Sequence, residues 1–188
     1  MQGFSYNATK ELIIKYFGNR IWQRVIDNTI FSEDKKIDDA EYIDDTKALE
    51  LFKNICKELN IHLAEFWLLF GQYWVLEFTQ KYYKSFYERN KDFLSFIYDL
   101  NNIHREMFDE MVIMRNPPEF NITRSGNKLE LYCESIEDLL VYSSSLEVKD
   151  VTDMLYGMVV SLGKYYNEFI RVKKIGKNRL EIELLDHK

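Results

Sequence analysis

Three histidines, His62, His104 and His187, are the side chains of this sequence best suited to hold a metal. No two of them sit at the short spacing that a shared ion needs, and Cys56 and Cys133 lie too far apart in sequence to make a ligand pair. There is no Cys-x-x-Cys, no His-Glu-x-x-His, no glycine-rich phosphate loop and no serine nucleophile between glycines. The carboxylate pairs Asp38-Asp39 and Asp44-Asp45 fall in a polar stretch where solvation is the default reading. A catalytic triad and a dedicated zinc site are therefore not expected. His104 stands apart, because it follows Leu100 and Ile103 on a segment whose other apolar positions, Phe93 and Ile97, recur at helical spacing. An imidazole on such a face can ligate an iron centre in an apolar pocket. A lone histidine on a helix is more often a core or boundary residue satisfied by a hydrogen bond, and local spacing alone does not decide.

The elements that must position His104 are mostly helical. Apolar residues recur at helical spacing from residue 6 to about residue 26, and Gly18-Asn19 divides them into two helices. Residues 32–45 are acidic and read as a surface loop, after which Thr46 opens a helix running to about Leu59. Another helix, about Leu63 to Gly71, leads into the aromatic stretch Tyr73 to Phe78. Helical spacing then runs through Phe86, Phe93, Ile97 and Ile103, past His104, until Pro117-Pro118 ends it. Phe120–Arg124, a tight turn at Ser125-Gly126-Asn127, and Lys128–Leu131 predict a hairpin. Residues 148–166 predict a helix, and 169–184 a second hairpin about Gly176-Lys177-Asn178. The expected class is α+β: an N-terminal helical half, about 1–116, then a mixed half, about 117–188, with a small antiparallel sheet of two hairpins and a helix. Both halves are expected to form one domain.

With 188 residues, 46% of them hydrophobic and only 2 Pro and 7 Gly, the chain has material for such a core and little for long loops. A net charge of −6, with lysines dispersed among acids, argues against a nucleic-acid surface. No run approaches the ~18 apolar residues of a membrane span, and the N-terminus lacks a secretory pattern. A cytoplasmic location with reduced thiols is the expectation.

Met1-Gln2-Gly3-Phe4 followed by an amphipathic helix, and then Phe17-Gly18-Asn19-Arg20-Ile21-Trp22, resemble the start of haem–nitric oxide/oxygen binding (H-NOX) domains, including that of the soluble guanylate cyclase β-chain. Tyr42-Ile43-Asp44-Asp45-Thr46 and Phe70-Gly71 are similar to the family too. So is Phe93-Leu94 leading into Leu100-Asn101-Asn102-Ile103-His104, with a proline thirteen residues on at Pro117. The resemblance covers nearly the whole chain, each motif weak singly and their order and spacing more specific.

The resemblance implies a sensory domain without catalysis of its own. Haem b would sit between the two halves with His104 as axial ligand, Leu100 one turn before it and Pro117 packed on the macrocycle. Matching Gly157 to a family glycine puts Met154 and Met158 on the distal side with Phe4 or Ser5 nearby. Methionine offers no donor hydrogen, so nitric oxide and carbon monoxide are the expected ligands rather than oxygen. Signalling would run in trans, to a histidine kinase, a cyclic-dinucleotide enzyme or a chemotaxis receptor. The family's propionate motif, Tyr-x-Ser-x-Arg, is degenerate. In one register it falls on Cys133, Ser135 and Glu137, and in another on Tyr142, Ser144 and Leu146. Neither register supplies the arginine whose bidentate fork would hold a carboxylate. A haem-free interaction or small-ligand module on the same scaffold is therefore the alternative.

Overall fold

The computed structural model describes residues 1–29, 37–110, 117–134 and 151–186. Its first helices begin and end where the sequence places capping residues. Helix α1 (Gly3–Phe17) stops at Gly18, whose φ of 90° suits a residue without Cβ, and the Gly18 N–H closes on the carbonyls of Ile13 and Ile14. Helix α2 (Asn19–Asp27) then buries Trp22, Val25 and Ile26. The Asp44 carboxylate accepts the Thr46 N–H at 2.9 Å to cap α3 (Asp45–Leu59), which Asn60 ends in the left-handed region. Glu65 reaches back to accept the His62 N–H at 2.7 Å at the start of α4 (Leu63–Tyr73).

After α4 the chain widens into a π-helical turn, Trp74–Phe78, before the short α5 (Thr79–Tyr82). Side chains secure this turn. The Trp74 carbonyl accepts both the N–H and the hydroxyl of Thr79, the latter at 2.7 Å, while Gln80 donates to the Val75 carbonyl at 3.1 Å. The periodicity that continues from Phe86 to Ile103 is divided between α6 (Lys84–Arg89) and α7 (Phe93–Glu110). Asp92 makes the break by capping α7, its Oδ1 accepting the Ser95 N–H at 2.7 Å.

Strands β1 (Phe120–Ser125) and β2 (Lys128–Cys133) form one hairpin, and β3 (Ile170–Gly176) and β4 (Arg179–Leu184) another. Pairing of β2 with β4 joins them into one antiparallel sheet of order β1-β2-β4-β3. Alternation sets Leu129, Leu131, Leu180 and Ile182 on the buried face and leaves Lys128 and Glu181 to pair outside. The class is α+β, as the sequence predicts.

Helix α8 (Thr152–Tyr165) packs on both α4 and the sheet. Its crossing with α4 is a backbone approach: a Cβ on Gly71 would lie 2.2 Å from the Met154 carbonyl oxygen, and one on Gly157 would lie 2.5 Å from that of Leu68. At the other side, Asn178 in the β3–β4 turn joins three elements. Its carbonyl accepts the Cys133 N–H at 3.1 Å, its side-chain oxygen accepts the Val151 N–H at 3.0 Å, and its own N–H donates to the Thr152 hydroxyl at 2.7 Å.

Candidate functional site

An apolar pocket with about 650 Å³ of empty space, its open mouth included, lies where α7, the π turn, α8 and the start of β1 meet. Most of that space is open mouth, and the cavity proper is about 80 Å³. Helix α7 contributes Leu100, His104 and Met107 to one wall, continued by Phe120 of β1. Trp74 and Val75 of the π turn and Met158 and Leu162 of α8 contribute to another.

His104 is half-buried, its accessible surface being part of the lining, and otherwise closely packed, with the Phe120 ring 5.1 Å away. Its Nδ1 lies 2.7 Å from the Leu100 carbonyl oxygen. A carbonyl can only accept, so Nδ1 carries the proton and the neutral ring keeps the Nε2 lone pair. Burial holds the His104 pKa below the usual imidazole value, and the bond to Leu100 only partly opposes this. At neutral pH the side chain is thus a neutral, oriented imidazole, the form that binds a metal. Three residues earlier, Asn101 grips the first residue of β1 from both sides: its Nδ2 donates to the Phe120 carbonyl at 2.9 Å and its Oδ1 accepts the Phe120 N–H at 2.8 Å.

One imidazole is too few ligands for a bare ion, and among the described residues no three His, Cys, Asp or Glu side chains gather into a metal site. The donor set suits a metal that already carries a macrocycle, whose apolar face Leu100, Phe120 and Met158 would cover. Cys56 and Cys133 are free and take no part. Burial raises both thiol pKa values, that of Cys133 to about 12.

Of the residues singled out from the sequence, the pocket unites His104, Leu100 and Met158. Phe4 is buried outside the lining, its ring 5.6 Å from that of Trp74. Met154 also lies outside the lining, because the α4–α8 crossing brings its backbone against Gly71. Pro117 borders a separate surface hollow with Asn101 and Arg105. Ser135 and Glu137, like the alternative register from Tyr142 to Leu146, fall outside the described residues. Sequence reasoning missed Trp74, Val75 and Phe120 as lining. Trp74 and Val75 belong to the aromatic stretch, whose faces ordinary helical spacing does not assign.

The pocket thus joins one oriented imidazole to an apolar lining between helices and sheet. Residues 2–174 match the sequence model of the family described as Haem-NO-binding, and the chain belongs to that family, the H-NOX proteins. Its fold is that of an H-NOX protein from S. oneidensis in the Fe(II)NO ligation state, with a TM-score of 0.80 at 13% identity over 99% of this chain and 100% of that one. An oxygen-binding H-NOX domain related to soluble guanylate cyclases, in its oxygen complex, gives 0.77 at 15% identity over 100% and 99%. Soluble guanylate cyclase gcy-37 of Caenorhabditis elegans is 21% identical over 105 residues, which is 55% of this chain. That stretch spans only 15% of the cyclase's length. Among the described residues no helix is long and apolar enough to cross a membrane.

Proposed function

We propose that this chain is a haem b-based nitric oxide sensor, formed as one domain over residues 1–188, that signals in the cytoplasm to a separate effector. The observation that carries this reading is the neutral His104 imidazole, its Nδ1–H held by the Leu100 carbonyl and its ring part of the lining of an apolar pocket. When bound, haem would supply an iron with a position open to nitric oxide or carbon monoxide. The protein's part is to hold and to report. His104 would be the one protein ligand, with its ring angle and basicity set by the Leu100 carbonyl. Leu100, Phe120 and Met158 would exclude water from the macrocycle.

Asn101 supports the reporting role, because its paired bonds make a shift of α7 a shift of β1 and so of the sheet. A histidine kinase, a cyclic-dinucleotide enzyme or a chemotaxis receptor would read that shift in trans, the chain itself being no enzyme. The test is the spectrum of protein purified from cells supplied with haem precursor. A Soret band that disappears in His104→Gly, and returns with added imidazole, is the expected result. A His104→Gly variant with unchanged ligation spectra would overturn the assignment. If the wild type neither carries nor takes up haem, the alternative stands: a haem-free module, as the missing propionate arginine suggests.

A further inference from the structure

We propose that a groove on the outer side of the π turn docks a basic amphipathic helix of the effector, its apolar side chains in the groove and its cations beside Asp38 and Asp39. The proposal rests on the reading that this chain signals to a separate effector, and it gives that effector a surface and a chemistry. The groove forms where the end of α1 runs past α4 and the π turn. Leu12, Tyr16 and Phe17 line one side and Leu69, Tyr73 and Leu76 the other, around a hollow of about 340 Å³. Four of these keep much of their surface: 57% for Tyr16, 38% for Phe17, 36% for Leu69 and 40% for Leu76. Large apolar side chains exposed singly are ordinary, but a contiguous set rimmed by polar groups marks a binding surface.

The walls of the groove are fixed before anything binds. The Glu77 carboxylate accepts from both Lys15 and the Tyr16 hydroxyl, which ties the end of α1 to the π turn and holds the Tyr16 ring at the rim. A preformed groove loses little side-chain freedom on binding. Beyond this bridge lies a polar hollow of about 700 Å³ that shares Tyr73 with the groove. Most of its charges are already met. Glu11 accepts from Tyr73 at 3.2 Å, Tyr82 at 3.1 Å and Lys81 at 3.3 Å, and Lys10 is engaged as well. Asp38 and Asp39 differ: they accept only the Ala40 N–H at 2.9 Å and the Asn7 amide at 2.6 Å. Among the described residues neither has a cation partner. Two such carboxylates beside an apolar groove suit a helix that is apolar on one face and cationic along its flank. The same carboxylates, in a chain of net charge −6, repel anionic lipid headgroups and nucleic acid.

The place of the groove gives it something to report. Trp74 and Val75 of the π turn line the pocket at His104, while Leu76 and Glu77 of the same turn line the groove. One turn of backbone therefore separates the two, and a displacement of the turn on its pocket side moves Leu76 on the other.

The experiment titrates the full-length protein, haem-free and haem-loaded, with a fluorescent synthetic helix of about 15 residues that carries leucines on one face and lysines on the other. Binding read by anisotropy is expected, and Leu76→Glu should weaken it about tenfold, the loss of one buried leucine. Leu69→Glu should do the same, and it serves as the test if Leu76→Glu does not fold. Asp38→Asn combined with Asp39→Asn should weaken binding roughly two- to fivefold at low salt and little at high salt. Phe169→Ser, which removes an exposed ring outside the groove, should match wild type. No binding, unchanged binding in both leucine variants, an equal loss in Phe169→Ser, or equal affinity for a leucine–glutamate helix overturns the proposal. So does self-association in sedimentation, or adsorption to phosphatidylserine vesicles, that Leu76→Glu removes, because another occupant then holds the groove. Absence of a Soret band after reconstitution defeats the haem reading alone, since titration of the haem-free protein does not depend on it.

Discussion

An imidazole whose Nδ1–H is fixed by a carbonyl one turn back has no freedom of tautomer, and His104 also resists protonation because it is buried. This has a consequence for the haem-free chain. Its unfolded form takes up a proton near pH 6.5, the folded form only at lower pH. Unfolding below that point is coupled to proton uptake, so His104 makes stability fall as pH falls, by at most about 1.4 kcal/mol per pH unit. Urea titrations of the apoprotein between pH 7.5 and 5 should show this slope, and His104→Gln should flatten it. An equal slope in both proteins would place the responsible group elsewhere. His104 was legible in the sequence through its apolar neighbours and the family-like segment around it. Trp74 was not, because the π turn, rather than the ordinary 3.6-residue turn, decides which residues of the 73–78 stretch face the pocket.

At the scale of elements, α4 and α8 meet backbone against backbone. Gly71 and Gly157 let the two backbones touch, and a Cβ at either would meet a carbonyl oxygen that cannot move alone. Gly157→Ala is expected to cost about 1–3 kcal/mol, typical of overpacking, visible as a lower urea midpoint without a change of slope. A midpoint equal to wild type would show that the helices can part freely. The Asn101 grip on β1 yields a different expectation. Asn101→Ala should leave α7 helical but speed hydrogen exchange at the Phe120 amide, which loses its acceptor. Helix limits were readable wherever a cap is a local signal, as at Asp44 and Gly18. The division between α6 and α7 was not, since Phe86 and Phe93 keep helical phase across it while Asp92 caps the second helix through a hydrogen bond that periodicity does not register. Likewise both hairpins could be read from their turns, but their union through β2 and β4 is a long-range pairing.

For the whole molecule, retention of haem depends on how its propionates are met as well as on the pocket. If Glu137 or Leu146 stands where the family has arginine, Glu137→Arg or Leu146→Arg should slow haem transfer to apomyoglobin, and failure of both would place the propionates elsewhere. Asn178, for its part, ties together elements far apart in the chain: β2 ends on its carbonyl, α8 starts at its side chain and N–H, and it lies itself between β3 and β4. Asn178→Ala keeps the backbone bonds but takes the acceptor from the Val151 N–H, and should lower apoprotein stability by about 1–3 kcal/mol, read as a lower urea midpoint. One side chain thus works as a seam between the second hairpin and the start of α8, so a slip on either side of it is felt on the other.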